Sequence, residues 1–204
     1  MAVPEGEGRD AGLHRRPLTL ARVRLVLQGV AVGLVVLLLG LLLWKLVRSP
    51  GGDLAAAADR GEKPGAPGFT LPRLDRGGKL TLSSLQGKAV VLNFWASWCI
   101  PCKDEAPFLE QVWRSRRADG LVVLGLDAKD FRADARRFAR RYDITFPLVY
   151  DGPGKTLSGY GVTGFPETYV LDREGRVVEA FVGAVNSDEE HARLRAAVDR
   201  ALRS

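Results

Sequence analysis

The two cysteines of the 204-residue chain, Cys99 and Cys102, are separated by two residues and follow an apolar run at 89–95. Such a run is typical of a buried strand, so the pair is expected where a strand meets a helix. A helix that begins near Cys99 directs unpaired N–H groups and the positive end of its dipole toward that sulfur, and both favour the thiolate. Because the thiolate is the species that attacks a disulfide, the pattern predicts a redox-active dithiol. Cys99 is then the nucleophile, and Cys102, one turn later and more buried, resolves the mixed disulfide.

A C-x-x-C pair can also be half of a zinc site, which takes about four ligands. The remaining candidates in the sequence are His14 and His191, and His14 precedes the hydrophobic segment at 25–44. A four-ligand cluster cannot be assembled from this set, so we expect no metal.

The segment 25–44 has Gln28 as its one strongly polar side chain. As a helix it is long enough to cross a hydrocarbon core of about 30 Å. A cleaved signal peptide is the alternative, because Ala55 to Ala58 offer a small-residue cleavage site. Signal peptides have apolar regions of about 7 to 15 residues with cleavage close behind, so a retained transmembrane anchor over 25–47 is favoured.

Basic residues flank this segment unequally and indicate its orientation. Five arginines lie in the tail 1–24, whereas Lys45 and Arg48 follow the segment. The five are Arg9, Arg15, Arg16, Arg22 and Arg24. The positive-inside bias therefore predicts a cytoplasmic tail and a cysteine pair on the opposite side of the membrane.

The rest of the chain reads as a linker followed by one domain. The segment 48–67 is rich in Gly, Ala and Pro, which predicts a flexible linker, and 68–204 is long enough for a domain with its own core. A hairpin is expected over 69–82, a second over 167–182, and a final helix capped by Ser187. Strands and helices between the hairpins are expected at 89–95, 101–117, 121–126, 131–142, 147–150 and 155–160. This order predicts an α/β sheet with mixed pairing.

The formal net charge of +6 raises the question of a nucleic-acid partner. Much of the charge comes from the arginines around the membrane segment and from a basic group on the predicted helix 131–142. That group consists of Arg136, Arg137, Arg140 and Arg141. A solvated basic face is the simpler interpretation, and contact with anionic lipid headgroups is the alternative. No nucleic-acid motif accompanies the charge, so we expect no nucleic-acid partner.

Two stretches carry a more specific signal, the run 93–107 around the cysteines and the run 160–168, which contains Gly-Phe-Pro-Glu-Thr. Together they resemble the membrane-anchored thioredoxin-like reductases of bacterial cytochrome c maturation, the TlpA, ResA and CcmG (DsbE) group. The resemblance covers about 68–204. It implies an α/β thioredoxin-like fold with an N-terminal β-hairpin and a central insertion at 143–158, preceded by one transmembrane helix.

The resemblance also implies roles for residues near the cysteines. Pro166 matches the family's cis-proline, and the backbone of Phe165 would pair with an extended substrate segment. Glu105 would exchange a proton with Cys102, against the alternative of a solvated helix carboxylate. Ordinary thioredoxins carry an acid on the preceding strand, where this sequence has Asn93, which cannot titrate.

Further substrate-binding positions are Trp98 and Glu167. Trp98 adjoins Cys99 and is expected to cover its sulfur or to contact substrate, whereas Trp95 is expected in the core. Glu167, beside the proline, is a second acidic candidate, against the alternative of a surface position at a strand edge.

The leading prediction is a thiol-disulfide oxidoreductase in the bacterial cell membrane that reduces disulfides of extracytoplasmic proteins. Its own disulfide is the only redox group, so no cofactor is expected. The resemblance implies as substrate an apocytochrome c with a C-x-x-C-H haem site, or a thiol carrier to it. Because no nicotinamide or flavin motif is present, electrons are expected from an integral-membrane thiol donor. Two alternatives stay open: a disulfide-forming oxidase, separated only by redox potential, and a copper-handling chaperone, which would need a further histidine near the cysteines.

Overall fold

The structure is a computed structural model that describes residues 18–47 and 53–204. The chain divides into two compact units, Met1–Arg48 and Ser49–Ser204. The first contains the helix α1 (Leu18–Val47), whose apolar span Val23–Trp44 has no buried residue. By length and composition this helix could cross a membrane, as the sequence predicts. Residues 1–17 of the predicted tail, and residues 48–52 of the predicted linker, lie outside the described residues.

The second unit contains a two-stranded sheet, a five-stranded sheet and five helices within its described residues. In chain order the elements are α2 (Asp53–Asp59), β1 (Thr70–Pro72), β2 (Lys79–Thr81), β3 (Ala89–Trp95), α3 (Ile100–Arg116), β4 (Leu121–Ala128), α4 (Arg132–Arg141), β5 (Leu148–Asp151), α5 (Leu157–Tyr160), β6 (Glu167–Leu171), β7 (Val177–Val182) and α6 (Asp188–Arg203). Short 3₁₀ turns occupy Leu82–Leu85 and Arg117–Asp119.

The large sheet has the strand order β5-β4-β3-β6-β7, with β3 at its centre. Strands β3, β4 and β5 are parallel, whereas β6 is antiparallel to both β3 and β7. Every residue of β3 and β4 is buried, because other elements cover both faces of the sheet, and this explains their nearly continuous apolar sequences. The small sheet is the predicted hairpin of β1 and β2. The predicted thioredoxin-like α/β fold is confirmed.

Alternate side chains of β3 enter two cores on opposite faces of the sheet. Val91 and Trp95 pack with α3, α4 and α6, in a core that also contains both cysteines. Leu92 and Phe94 pack on the other face with the β1–β2 hairpin, α2 and α5. The cysteine pair therefore lies on the face that carries the three longer helices of this unit.

The predicted insertion 143–158 supplies the edge strand β5 and the start of α5. Its first residues are tied to α3, because the Glu110 carboxylate accepts a hydrogen bond from the Thr145 N–H at 2.8 Å. The insertion is thus anchored to the helix that begins at the cysteine pair.

The structure corrects the predicted flexible linker at 48–67. Residues 53–59 form α2, in which Leu54 and Ala57 are buried against the main sheet. The following segment is bound to the first residue of β7, since the Val177 N–H donates to the Pro64 carbonyl at 2.8 Å. Alanine is the strongest helix former, and residues three apart share one side of a helix, so a short Ala-rich helix can form and bury one side against a core. Composition alone could not distinguish this helix from a tether.

Ser187 caps α6 as predicted. Its hydroxyl accepts a hydrogen bond from the Glu190 N–H at 3.2 Å, and the Glu190 carboxylate accepts one from the Ser187 N–H at 3.0 Å. This capping box fixes the direction in which the chain enters the helix. Val185, two residues before the cap, thereby lies against Glu105 of α3.

Candidate active site

Cys99 and Cys102 form a disulfide at the junction of β3 and α3, with their Cα atoms 5.4 Å apart. Cys99 is the N-cap of α3, and its sulfur accepts a hydrogen bond from the Cys102 N–H at 3.2 Å. Pro101 lies in the first turn, where its missing N–H removes no helical hydrogen bond. The predicted strand-to-helix placement is confirmed. The predicted difference in depth is not seen in the disulfide form, since Cys99 is 3% and Cys102 2% exposed.

The start of α3 favours negative charge on Cys99 once the disulfide opens. The 17-residue helix directs its positive end at this sulfur, and its first turn contains no acidic residue that would offset the effect. The helix therefore stabilises the Cys99 thiolate relative to the thiol.

An apolar surface surrounds the disulfide. Trp98 is 59% and Ile100 71% exposed, an unusual position for large apolar side chains. The Phe165 ring lies 5.6 Å from the Trp98 ring, between centroids, and the Phe165–Pro166 peptide bond is cis. The structure thus brings together three of the four predicted substrate-binding residues, and Pro166 has the geometry that the resemblance implies.

Glu105 is a buried acid one turn beyond Cys102, with only 1% of its surface exposed. Its carboxylate accepts hydrogen bonds from the Asn93 side chain at 2.8 Å and from the Val185 N–H at 3.1 Å. Burial raises the pKa of Glu105 from 4.5 to about 7, although these two hydrogen bonds oppose the shift. The alternative of a solvated helix carboxylate is therefore wrong. A carboxyl group with this pKa can both accept and release a proton near neutrality.

Asn93 is a partner of Glu105 that the sequence interpretation missed. Its side-chain amide also donates to the Thr168 hydroxyl at 3.0 Å, across the β3–β6 pair in which these two residues are opposite each other. The sequence indicated only that Asn93 cannot titrate. Its role as a donor follows from the packing of α3 on β3, and the contribution of the Val185 backbone has no sequence signal at all.

Glu167 lies inside the protein. It is 3% exposed, and its carboxylate accepts hydrogen bonds from the Thr163 N–H at 3.0 Å and from the Tyr169 hydroxyl at 3.1 Å. This placement disagrees with the predicted direct contact with substrate, and also with the alternative of a surface position at a strand edge. Because Thr163 belongs to the loop that contains Phe165 and Pro166, Glu167 fixes that loop from within.

The loop after β4 is hydrogen-bonded to Trp98 and to the residue before it, Ser97. The Trp98 indole N–H donates to the Lys129 carbonyl at 3.0 Å, and the Ser97 N–H donates to the Asp130 carboxylate. No sequence signal pointed to this loop, because its contacts depend on the parallel pairing of β3 with β4. Trp95, by contrast, is in the core as predicted, against Phe138 of α4.

Across the described ranges 18–47 and 53–204, no group of three or more His, Cys, Asp or Glu side chains is arranged to hold a metal ion. His191 stacks on Phe108 of α3, with ring centroids 3.6 Å apart.

Comparison with known proteins agrees with this site. The AhpC/TSA family pattern matches residues 64–180. The chain is 33% identical over 124 residues to the thiol-disulfide oxidoreductase ResA of a Bacillus cereus strain, covering 61% of this chain and 71% of the relative. It is 38% identical over 132 residues to the thioredoxin-like protein YneN of Bacillus subtilis, covering 63% and 76%. A crystal structure assigned to the thiol:disulfide interchange protein DsbE of Chlorobium tepidum gives a TM-score of 0.64 at 32% identity, covering 69% and 96%.

The matched residues 64–180 include both cysteines, Glu105 and the cis-proline. A cysteine pair that forms a disulfide at the start of a helix is the arrangement typical of thiol-disulfide exchange. The chain therefore catalyses thiol-disulfide interchange and belongs to the AhpC/TSA family, within its thioredoxin-like TlpA, ResA and CcmG (DsbE) group.

Proposed function

We propose that this protein is a membrane-anchored reductase of disulfides in extracytoplasmic proteins, acting in bacterial cytochrome c maturation. The observation that carries the exchange reaction in this proposal is the buried Glu105, because the Cys102 proton must be removed inside the protein before Cys102 can attack. The reductive direction is supported by the resemblance. The resemblance to cytochrome c maturation proteins supports the pathway.

The first step is attack by the Cys99 thiolate on one sulfur of the substrate disulfide. A bond forms between Cys99 and that sulfur, the substrate S–S bond breaks, and the second substrate sulfur leaves as a thiolate. The N-terminus of α3 makes the attacking thiolate available at neutral pH. Trp98 and Phe165 supply the apolar surface against which the substrate segment lies.

The second step is resolution by Cys102. Glu105 accepts the Cys102 proton, and the resulting thiolate attacks the Cys99 sulfur. The Cys99–Cys102 bond forms, the first substrate sulfur leaves, and it is protonated by Glu105 or by water. Two electrons have then passed from the dithiol to the substrate, and no cofactor is involved.

The substrate we propose is an apocytochrome c with an oxidised C-x-x-C-H site, or a thiol carrier that reduces it. An integral-membrane thiol protein would return electrons to the Cys99–Cys102 disulfide. We propose no nucleic-acid partner.

We further propose that α1 is a retained anchor, with the tail 1–24 in the cytoplasm and the thioredoxin-like domain outside the cell membrane. Protease added to intact spheroplasts should digest the domain while the tail survives. A mature protein that starts near Ala58 and is free in the soluble fraction would contradict this placement.

Stopped-flow kinetics with an oxidised C-x-x-C-H peptide test the reaction itself. Glu105→Gln should form the Cys99 adduct at nearly the wild-type rate but resolve it at least about tenfold more slowly, the lower range for lost acid–base catalysis. The matched control is Asp104→Asn, an exposed acid one residue earlier on α3, which should change neither rate. Equal resolution rates and pH profiles in Glu105→Gln and wild type would refute the role of Glu105.

A further inference from the structure

Asp127, near the end of β4, is a buried acid that the exchange reaction does not use. Its surface is 0% exposed, and neither of its oxygens accepts a hydrogen bond from a donor among the residues that the structure describes. A buried carboxylate without partners is costly, and the group avoids this cost by keeping its proton. Burial, and then the nearby charge of Asp130, raise the pKa of Asp127 to about 9, against the opposing charge of Arg132.

The elements packed around Asp127 provide few polar groups that could interact with its carboxyl. On β3 its register partner is Trp95, whose indole nitrogen is also without a partner among the described residues. On β5 its register partner is Tyr150, whose hydroxyl donates to the Asp130 carbonyl at 2.9 Å. From α4, the Arg132 guanidinium lies over the Tyr150 ring, 4.2 Å from its centroid. The acidic group beside Asp127 is Asp130, three residues later.

Asp130 connects this buried acid to the active-site loop. Its carboxylate accepts the Ser97 N–H, and the neighbouring Lys129 carbonyl accepts the Trp98 indole N–H at 3.0 Å. Lys129 has a φ of 55°, in the left-handed region that non-glycine residues seldom adopt. The segment 127–130 therefore takes an unusual turn and binds the two residues that precede the nucleophile.

We propose that Asp127 is a positioning residue of the active-site loop, which as a neutral acid donates its proton to the Asp130 carboxylate. The two groups together then carry one negative charge, and Asp130 can hold Ser97 without a second charge buried beside it. When Asp127 ionises, two carboxylates face each other in a poorly solvated site, and their repulsion weakens the hold on Ser97. This role applies to exchange in either direction, so it does not depend on the reductive function.

Nuclear magnetic resonance of the oxidised full-length protein in detergent tests the proposal without interference from thiol titration. With ¹⁵N-labelled serine and tryptophan, the Ser97 amide and Trp98 indole signals should shift together, with a midpoint near pH 9. The Asp127→Asn side chain keeps a hydrogen-bond donor but cannot lose a proton. In this variant, the Ser97 amide and Trp98 indole signals should therefore stay, at every pH, near the positions that they have in the wild type at neutral pH. Glu105→Gln, the control at the other buried acid, should keep the transition.

The reactivity of Cys99 separates positioning from packing. The reduced protein is mixed with Ellman's disulfide at pH 7, and the second-order rate constant is measured. Asp127→Asn should remain within about threefold of wild type, whereas Asp127→Leu, which has no donor, should lose about tenfold or more because the loop is misplaced. A transition near pH 9 that persists in Asp127→Asn, or a Leu variant as reactive as wild type, would overturn the proposal. If Asp127→Leu does not fold, the pH titration of the Ser97 and Trp98 signals in Asp127→Asn still tests the proposal.

Discussion

Replacing Glu105 by Gln should change how the stability of the protein depends on pH. The carboxyl has a pKa of 4.5 as an ordinary group and about 7 in the folded protein, because burial outweighs the hydrogen bonds from Asn93 and Val185. The folded state therefore binds this proton more tightly than the unfolded state. The stability that this proton provides is complete below pH 4.5, declines between pH 4.5 and 7, and is absent above pH 7.

The size of the effect follows from the shift. At about 1.4 kcal/mol for each pH unit, the interval from 4.5 to about 7 corresponds to about 3 kcal/mol of the free energy of unfolding. Gln cannot titrate, so this loss disappears in Glu105→Gln. The Gln side chain also leaves one of the two donors without an acceptor, which costs about 1 to 3 kcal/mol at every pH. The prediction therefore concerns the change with pH and not the absolute stability.

Guanidinium unfolding of the oxidised full-length protein in detergent, followed by tryptophan fluorescence, measures this change. Between pH 4.5 and 8, the stability of Glu105→Gln relative to wild type should rise by about 3 kcal/mol. Other shifted acids, such as Asp127, are present in both proteins and cancel in the difference. Asp104→Asn should follow the wild-type curve. A difference between Glu105→Gln and wild type that is flat over this range would show that Glu105 is not a buried acid with a raised pKa.

Other substitutions probe the surroundings of the cysteines. Asn93→Ala removes a 2.8 Å hydrogen bond to the Glu105 carboxylate, so the pKa of Glu105 should rise above 7. The ¹³C shift of the carboxyl group measures this pKa, and an unchanged value would contradict the contact. Trp98→Ala removes an exposed aromatic face, so the KM for an oxidised C-x-x-C-H peptide should increase roughly tenfold with little change in kcat, and a purely kcat effect would argue against substrate contact. Gly125→Ala would place a Cβ 2.5 Å from Leu148 Cδ2 and 3.0 Å from the Trp95 indole nitrogen. The free energy of unfolding should therefore fall by about 1 to 3 kcal/mol. Wild-type stability in this variant would mean that the core relaxes around the added methyl group.

The sequence predicted the elements whose signals are local. The apolar run before Cys99, the turn residues between β1 and β2, and the Ser187 cap each determine their own element, and the structure has each of them where it was expected. The resemblance added the cis-proline, which spacing alone could not indicate. The segment 48–67 was misread because the docking of α2 depends on a partner strand more than a hundred residues later.

The parts of the site that sequence could not predict come from long-range packing. Glu105 could be named from the resemblance, but its burial depends on Asn93 and on the Val185 backbone, which approaches from the loop before α6. Glu167 is predicted as a substrate-binding acid, yet the sheet places it between β3 and β7 with its carboxylate turned toward its own loop. Asp127 gave no signal, because an acid at a strand end usually reaches solvent.

The reductive direction is the central claim, and the redox potential of the Cys99–Cys102 pair tests it most directly. The protein is equilibrated in glutathione buffers of graded ratio, and the fraction of dithiol is read by thiol trapping. A potential near that of thioredoxin, about −270 mV, is predicted. A potential near that of DsbA, about −120 mV, would contradict the account and assign the protein to disulfide formation.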